Sequence, residues 1–124
     1  QGHGTIGIVS SVAGYGGLPK ALVYGASKAA LINFAETLYL DLAPRGLGVA
    51  LINPGFVRTP LTDRNAFPMP YLINADEAAT EIVAGLERGD SEIHFPRASS
   101  RRPKLLRLLP YRWYFAIVRK ATGV

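Results

Sequence analysis

The chain has 124 residues, 48% hydrophobic and 19% charged, a globular composition with room for one domain. It has no cysteine and only two histidines, so a disulfide framework, a thiol nucleophile and a Cys-based zinc site are excluded, and a His-rich metal centre is not expected. The net charge of +5 is uneven: residues 1–96 carry six Lys/Arg and nine acids, a balance of −3, while residues 97–124 carry eight Lys/Arg and no acid, so a basic surface spread over the whole fold, as nucleic-acid binding uses, is not supported.

Thr5-Ile6-Gly7-Ile8-Val9-Ser10 is a β-branched run that predicts a buried strand. Ser11 to Pro19 is rich in glycine and reads as a loop. From about Lys20 to Ala43, apolar residues Ala30, Leu31, Phe34, Ala35, Leu38 and Leu42 recur at spacings of three and four, the period of a helix. The apolar surface is wide, which predicts burial on more than one side. Pro44 and Gly46 stop this helix. Val49 to Asn53 is a second short strand, closed by Pro54-Gly55.

Residues 56–74 form a long irregular segment interrupted by prolines. Asn74, with Asp76 and Glu77 behind it, caps a helix that runs to about Arg88 and stops at Gly89. Glu92-Ile93-His94-Phe95 predicts a third strand. The tail divides at Pro110 into amphipathic stretches over about 103–109 and 111–121. No run of about 18 apolar residues predicts a membrane span, and Gln1 to Thr5 lacks a signal-peptide pattern.

Strands alternating with helices predict an α/β fold with a parallel sheet. In such sheets the chemistry gathers at the carboxyl ends of the strands. Here those ends are Ser10-Ser11 and Asn53-Pro54-Gly55.

Tyr24 and Lys28 lie four apart on the long helix, so both leave the same face. A phenol ordinarily ionises near pH 10 and is a poor acid–base catalyst at neutral pH. A neighbouring ammonium stabilises the phenolate. Bringing a phenol to about pH 7 takes roughly 4 kcal/mol of differential stabilisation. Ser11, thirteen residues before Tyr24, can hold a substrate oxygen while the phenol transfers a proton.

Three segments occur in order: Ile8-Val9-Ser10-Ser11-Val12-Ala13-Gly14, then Tyr24-Gly25-Ala26-Ser27-Lys28-Ala29-Ala30-Leu31, then Asn53-Pro54-Gly55-Phe56-Val57-Arg58-Thr59. Together they resemble the short-chain dehydrogenase/reductase family. The resemblance covers residues 5–96 and implies the C-terminal half of a Rossmann-like doubly wound parallel sheet. It implies a partial catalytic domain over 1–96 and a basic amphipathic helical extension over 97–124. Tyr24 would be general acid in reduction and general base in oxidation. Tyr24 and Lys28 would both contact the cofactor, Lys28 lowering the Tyr24 pKa and hydrogen-bonding the nicotinamide ribose, and Ser11 would bind the reacting oxygen.

Pro54 and Gly55 would bring backbone close to the nicotinamide. Val57 would meet the carboxamide through its main chain, and Thr59 the carboxamide or a phosphate. Gly14, Tyr15 and Phe56 are candidates for the substrate-pocket wall. The cofactor implied is NAD or NADP, NADP being favoured; the reaction is interconversion of a secondary alcohol and a ketone, with a hydrophobic substrate.

The family's glycine-rich pyrophosphate turn and its NAD/NADP selector have no counterpart in these residues, so the chain is expected to be a fragment. Alone, it is expected to expose the edge of its first strand, to self-associate or be only partly ordered, to bind dinucleotide weakly and to be inactive. The resemblance also implies a homo-oligomer paired through the 21–43 helix. The tail is read as a cover over the substrate pocket or as a peripheral membrane contact, and the location as cytoplasmic, with membrane association through the tail. The competing reading is a non-catalytic interaction module that pairs through the long helix and uses the tail to hold membrane or protein.

Overall fold

The computed structural model describes all residues, 1–124. Strand β1 is Thr5–Val9, and a 3-10 turn, Val12–Gly14, follows it. Helix α1 is Leu22–Leu42, β2 is Gly48–Pro54, α2 is Ala75–Arg88 and β3 is Glu92–Phe95. The tail folds as α3, Arg97–Leu106, and α4, Tyr111–Thr122. The three strands form one parallel sheet in the order β1-β2-β3. Thr5 to Val9 pair with Gly48 to Ile52, and Leu51 to Pro54 pair with Glu92 to Phe95.

β2 is central and buried along its length because helices lie on both faces. Its alternating side chains feed two small cores. Ala50 and Ile52 pack with Ala78 of α2 and with Ile93 and Phe95 of β3. Leu51 packs on the opposite face with Ile32 and Ala35 of α1 and with Tyr15. The Asn74 cap forms as the sequence predicts: its Oδ1 accepts from Glu77 N at 2.8 Å, and its own N–H donates to Glu77 Oε2 at 3.0 Å.

Three expectations change. β1 takes the expected edge position, but its side chains are not buried, and Ile6 and Val9 are exposed. Helix α1 buries only Ile32 and Ala35, while Leu22, Val23, Phe34 and Leu40 stay exposed. Its apolar residues surround the axis, and this chain covers one side. Finally, α3 begins at Arg97, six residues before the predicted start, and runs through Pro103. Proline is favoured in a helix's first turn, which made Pro103 look like a start. No helix is long and apolar enough to cross a membrane.

Candidate active site

The ends of β1 and β2 lie side by side, and α1 passes over them. Ser10 extends the ladder through its N–H to Ile52 O at 2.8 Å. Its side-chain hydroxyl donates to the carbonyl of Lys28 at 2.7 Å. That bond commits Ser10 to structure and pins the strand end to the helix. Ser11 is buried beside it. Its Oγ accepts from Ala13 N at 3.2 Å, capping the 3-10 turn, and reaches the Pro54 carbonyl at 3.5 Å.

Gly14 closes this turn against α1. A Cβ there would sit 2.7 Å from the Lys28 carbonyl carbon and 2.8 Å from Ile32 Cδ1. Only a residue without a side chain lets the loop approach the helix backbone so closely. The Ser11 turn is thus fastened to the segment of α1 that carries Lys28. On that helix the Lys28 ammonium lies 5.6 Å from the centroid of the Tyr24 ring, within cation–π range. Tyr24 is 56% exposed, whereas Lys28 is half-buried and pairs with no carboxylate.

Beyond β2, the Gly55 N–H donates to Phe95 O at 2.7 Å, joining the β2 end to β3. Thr62 Oγ1 donates to the Val57 carbonyl at 2.8 Å; the bridge to Ile73 uses the Phe56 carbonyl and the Arg58 N–H, so the Val57 N–H has no acceptor in this chain. Thr59 works within the turn: its N–H donates to Thr62 Oγ1 at 2.8 Å, and its Oγ1 accepts from Thr62 N at 3.3 Å. Phe56 is half-buried, with its ring 6.0 Å from that of Phe67.

Of the three residues expected to wall a pocket, Tyr15 turns inward. It is buried against Ile32, Ala35 and Leu51, and its hydroxyl donates to Glu92 Oε1. Asn53 Nδ2 donates to the Tyr15 phenol oxygen at 3.2 Å and to Glu92 Oε1 at 3.4 Å. Lys104 of α3 donates to Glu92 Oε2 at 2.5 Å. Burial first, then the Glu92 hydrogen bond and charge, push the Tyr15 phenol well above its usual range, against smaller opposing effects of Asn53 and Arg107. Burial alone drives the Glu92 carboxyl up. Hydrogen bonds from Lys104 and Tyr15, with the lysine charge, outweigh it and hold Glu92 below its usual value.

Glu92 and Lys104 were not singled out from the sequence, and Asn53 was marked only as part of the β2 end, with no role. Alternation along β3 carried a signal, since Ile93 and Phe95 face the α2 core and Glu92 must face the other way. His94 shares that other face, 2.6 Å from the buried Ser100 hydroxyl. Burial lowers its pKa, and Lys104, Arg97 and Arg101 lower it further against the pull of Glu92.

The sequence and the fold are similar to those of known proteins. The family model described as short chain dehydrogenase matches residues 1–67. An uncharacterized oxidoreductase of Myxococcus xanthus is 40% identical over 112 residues, covering 90% of this chain and 44% of that protein. A short-chain dehydrogenase of Sphingobium yanoikuyae, solved with NADPH, superposes with a TM-score of 0.67 at 25% identity, over 98% of this chain and 44% of that one. One of Burkholderia cenocepacia, solved with NADP, gives 0.68 at 30% identity, over 87% and 48%. The chain thus spans less than half the length of the curated relatives it matches. Sequence motifs, parallel sheet and structural neighbours agree: the chain belongs to the short-chain dehydrogenase family.

Proposed function

We propose that these residues are the proton-transfer and substrate-oxygen side of an NAD(P)(H)-dependent oxidoreductase that interconverts a secondary alcohol and a ketone. The supporting observation is the fastening of the Ser11 turn to the Lys28 segment of α1, through Ser10 Oγ and through the bare Cα of Gly14. It joins the serine loop to the helix that presents Tyr24 and Lys28 together. In this reading Ser11 donates to the substrate oxygen, Tyr24 gives or takes the proton there, and Lys28 sets a cation beside the Tyr24 ring.

The residues present fit a nicotinamide nucleotide. Lys28 is a half-buried cation with no acid partner, suited to ribose hydroxyls. The Val57 N–H is a donor suited to the carboxamide, and Thr59 lies in the same turn. When bound, the nicotinamide supplies or accepts the hydride. The NADPH and NADP held by the two solved relatives favour NADP here. We assign the substrate to hydrophobic ketones and alcohols.

Two surfaces complete the proposal. The exposed Leu22, Val23, Phe34 and Leu40 of α1 form the pairing face of a homo-oligomer. The tail exposes Leu105, Leu108, Tyr111, Trp113 and Phe115 among arginines with no acid between them, a match for an anionic lipid surface. Trp113 is the chain's single tryptophan, so its fluorescence should shift to the blue with phosphatidylglycerol vesicles. An equal shift with phosphatidylcholine vesicles, or none with either, overturns the lipid assignment.

The test of the catalytic reading is titration of NADPH and of reduced nicotinamide mononucleotide, followed by nicotinamide fluorescence, with ketone reduction measured alongside. Binding should be weak, should fall about tenfold or more in Lys28→Met, and should persist in Tyr24→Phe. Any ketone reduction that NADPH supports should fall about 10²–10⁴-fold in Tyr24→Phe. Unchanged binding in Lys28→Met, or unchanged reduction in Tyr24→Phe, overturns it.

A further inference from the structure

We infer that the basic tail is a positioning element for the loop that carries Ser11, with Lys104 of α3 and Tyr114 of α4 as the positioning residues. The inference rests on the reading of Ser11 given above for its consequence in the reaction. Its structural content stands on the geometry alone.

Two independent fasteners reach from the tail to this loop. The first runs through Glu92. Lys104 holds one carboxylate oxygen at 2.5 Å, and Tyr15, four residues after Ser11, donates to the other. Asn53 bridges the phenol and the same carboxylate oxygen. It also precedes Pro54, the residue whose carbonyl faces Ser11 Oγ. One carboxylate therefore gathers the loop after β1, the end of β2 and the start of β3. A half-buried carboxylate needs a compensating cation, and Lys104 is the one that touches it. Without it Glu92 accepts a proton more readily, and its hold on Tyr15 and Asn53 weakens.

The second fastener is Tyr114. It is buried, and its hydroxyl donates to the Gly17 carbonyl at 2.7 Å. The ring lies so close to Gly16 that a Cβ on that residue would run into the phenol. The loop from Ser11 to Gly17 is thus held at Tyr15 by α3 through Glu92, and at Gly16-Gly17 by α4. The exposed Arg107–Glu36 pair at 3.4 Å adds a tie from the tail to α1 that is weak by comparison. The tail acts on Ser11 through these side chains and needs no contact with substrate.

Hydrogen exchange on the full chain tests this without requiring turnover. In Lys104→Met and in Tyr114→Phe, exchange of amides in residues 12–17 should rise about tenfold, while amides of β2 and α2 keep their rates. Lys104→Arg should restore protection to the loop. Unchanged exchange in residues 12–17 overturns the inference. So does a uniform rise across all segments, which would make the tail a general stabiliser. If Lys28→Met leaves NADPH binding unchanged but the loop still responds to Lys104→Met and Tyr114→Phe, the functional reading fails and the fastening stands. If Lys28→Met weakens NADPH binding and the loop does not respond, the fastening fails and the functional reading stands.

Discussion

At the β3 edge of the sheet, polar groups from distant parts of the chain converge. Tyr15, Asn53, Glu92 and Lys104 share hydrogen bonds, and α3 and α4 lock onto the same loop. At the β1 edge the surface is apolar and uncovered: Ile6 and Val9 are exposed on the strand, and Leu22 and Val23 are more than 80% exposed on α1. Hydrogen bonds to a buried charge are directional and fix positions. Apolar area is non-directional and drives association. The β3 side is therefore built to hold a geometry, and the β1 side to meet another surface.

Substitutions can break this contrast. The largest effect is expected from Gly14→Ala, where the new methyl meets backbone at 2.7 Å and Ile32 at 2.8 Å. Urea unfolding should show a loss of about 1–3 kcal/mol. An effect below about 0.5 kcal/mol would show that the loop yields freely.

Glu92→Gln comes next. The native carboxyl titrates below its ordinary value near 4.5. Its contribution is therefore fully present above about pH 4.5 and is lost as the pH falls through the lowered native value. The variant should be about 1–2 kcal/mol less stable at pH 7 and should lose less on acidification. Parallel stability–pH curves for the two proteins would contradict the Lys104–Glu92–Tyr15 linkage.

The smallest effect on stability belongs to Leu22→Ser, at a side chain 88% exposed. Unfolding should change by less than about 0.5 kcal/mol, while sedimentation should report weaker self-association. A large loss of stability without change in association would mean that the β1 side carries the fold rather than a partner.

The alternation of strand and helix was legible because β2, α2 and β3 each combine a clear period with clear ends. Asn74 and Glu77 cap α2, and Gly89 closes it with φ 75°. The Tyr24–Lys28 pair was legible because a helix turn places such residues together whatever surrounds them. The exposed side chains of β1 were not legible in the strand itself, since Thr5-Ile6-Gly7-Ile8-Val9 reads the same in mid-sheet as at an edge; its edge position followed from the family resemblance. The Glu92 network was hidden by separation. Its members lie 12, 39 and 77 positions from Glu92, and no local pattern joins them. The inward turn of Tyr15 follows from that network, so it was hidden for the same reason.

The bare Cα of Gly14 has a mechanical consequence. With the loop seated directly on the Lys28 carbonyl, there is no compressible layer of side chains between them. A displacement of the first half of α1 therefore reaches the serine turn through direct contact with backbone. A tilt of the helix, from pairing or from a substitution on its outer face, bears on the Ser11 turn from one side, against the hold of the tail on Tyr15 and Gly17 from the other.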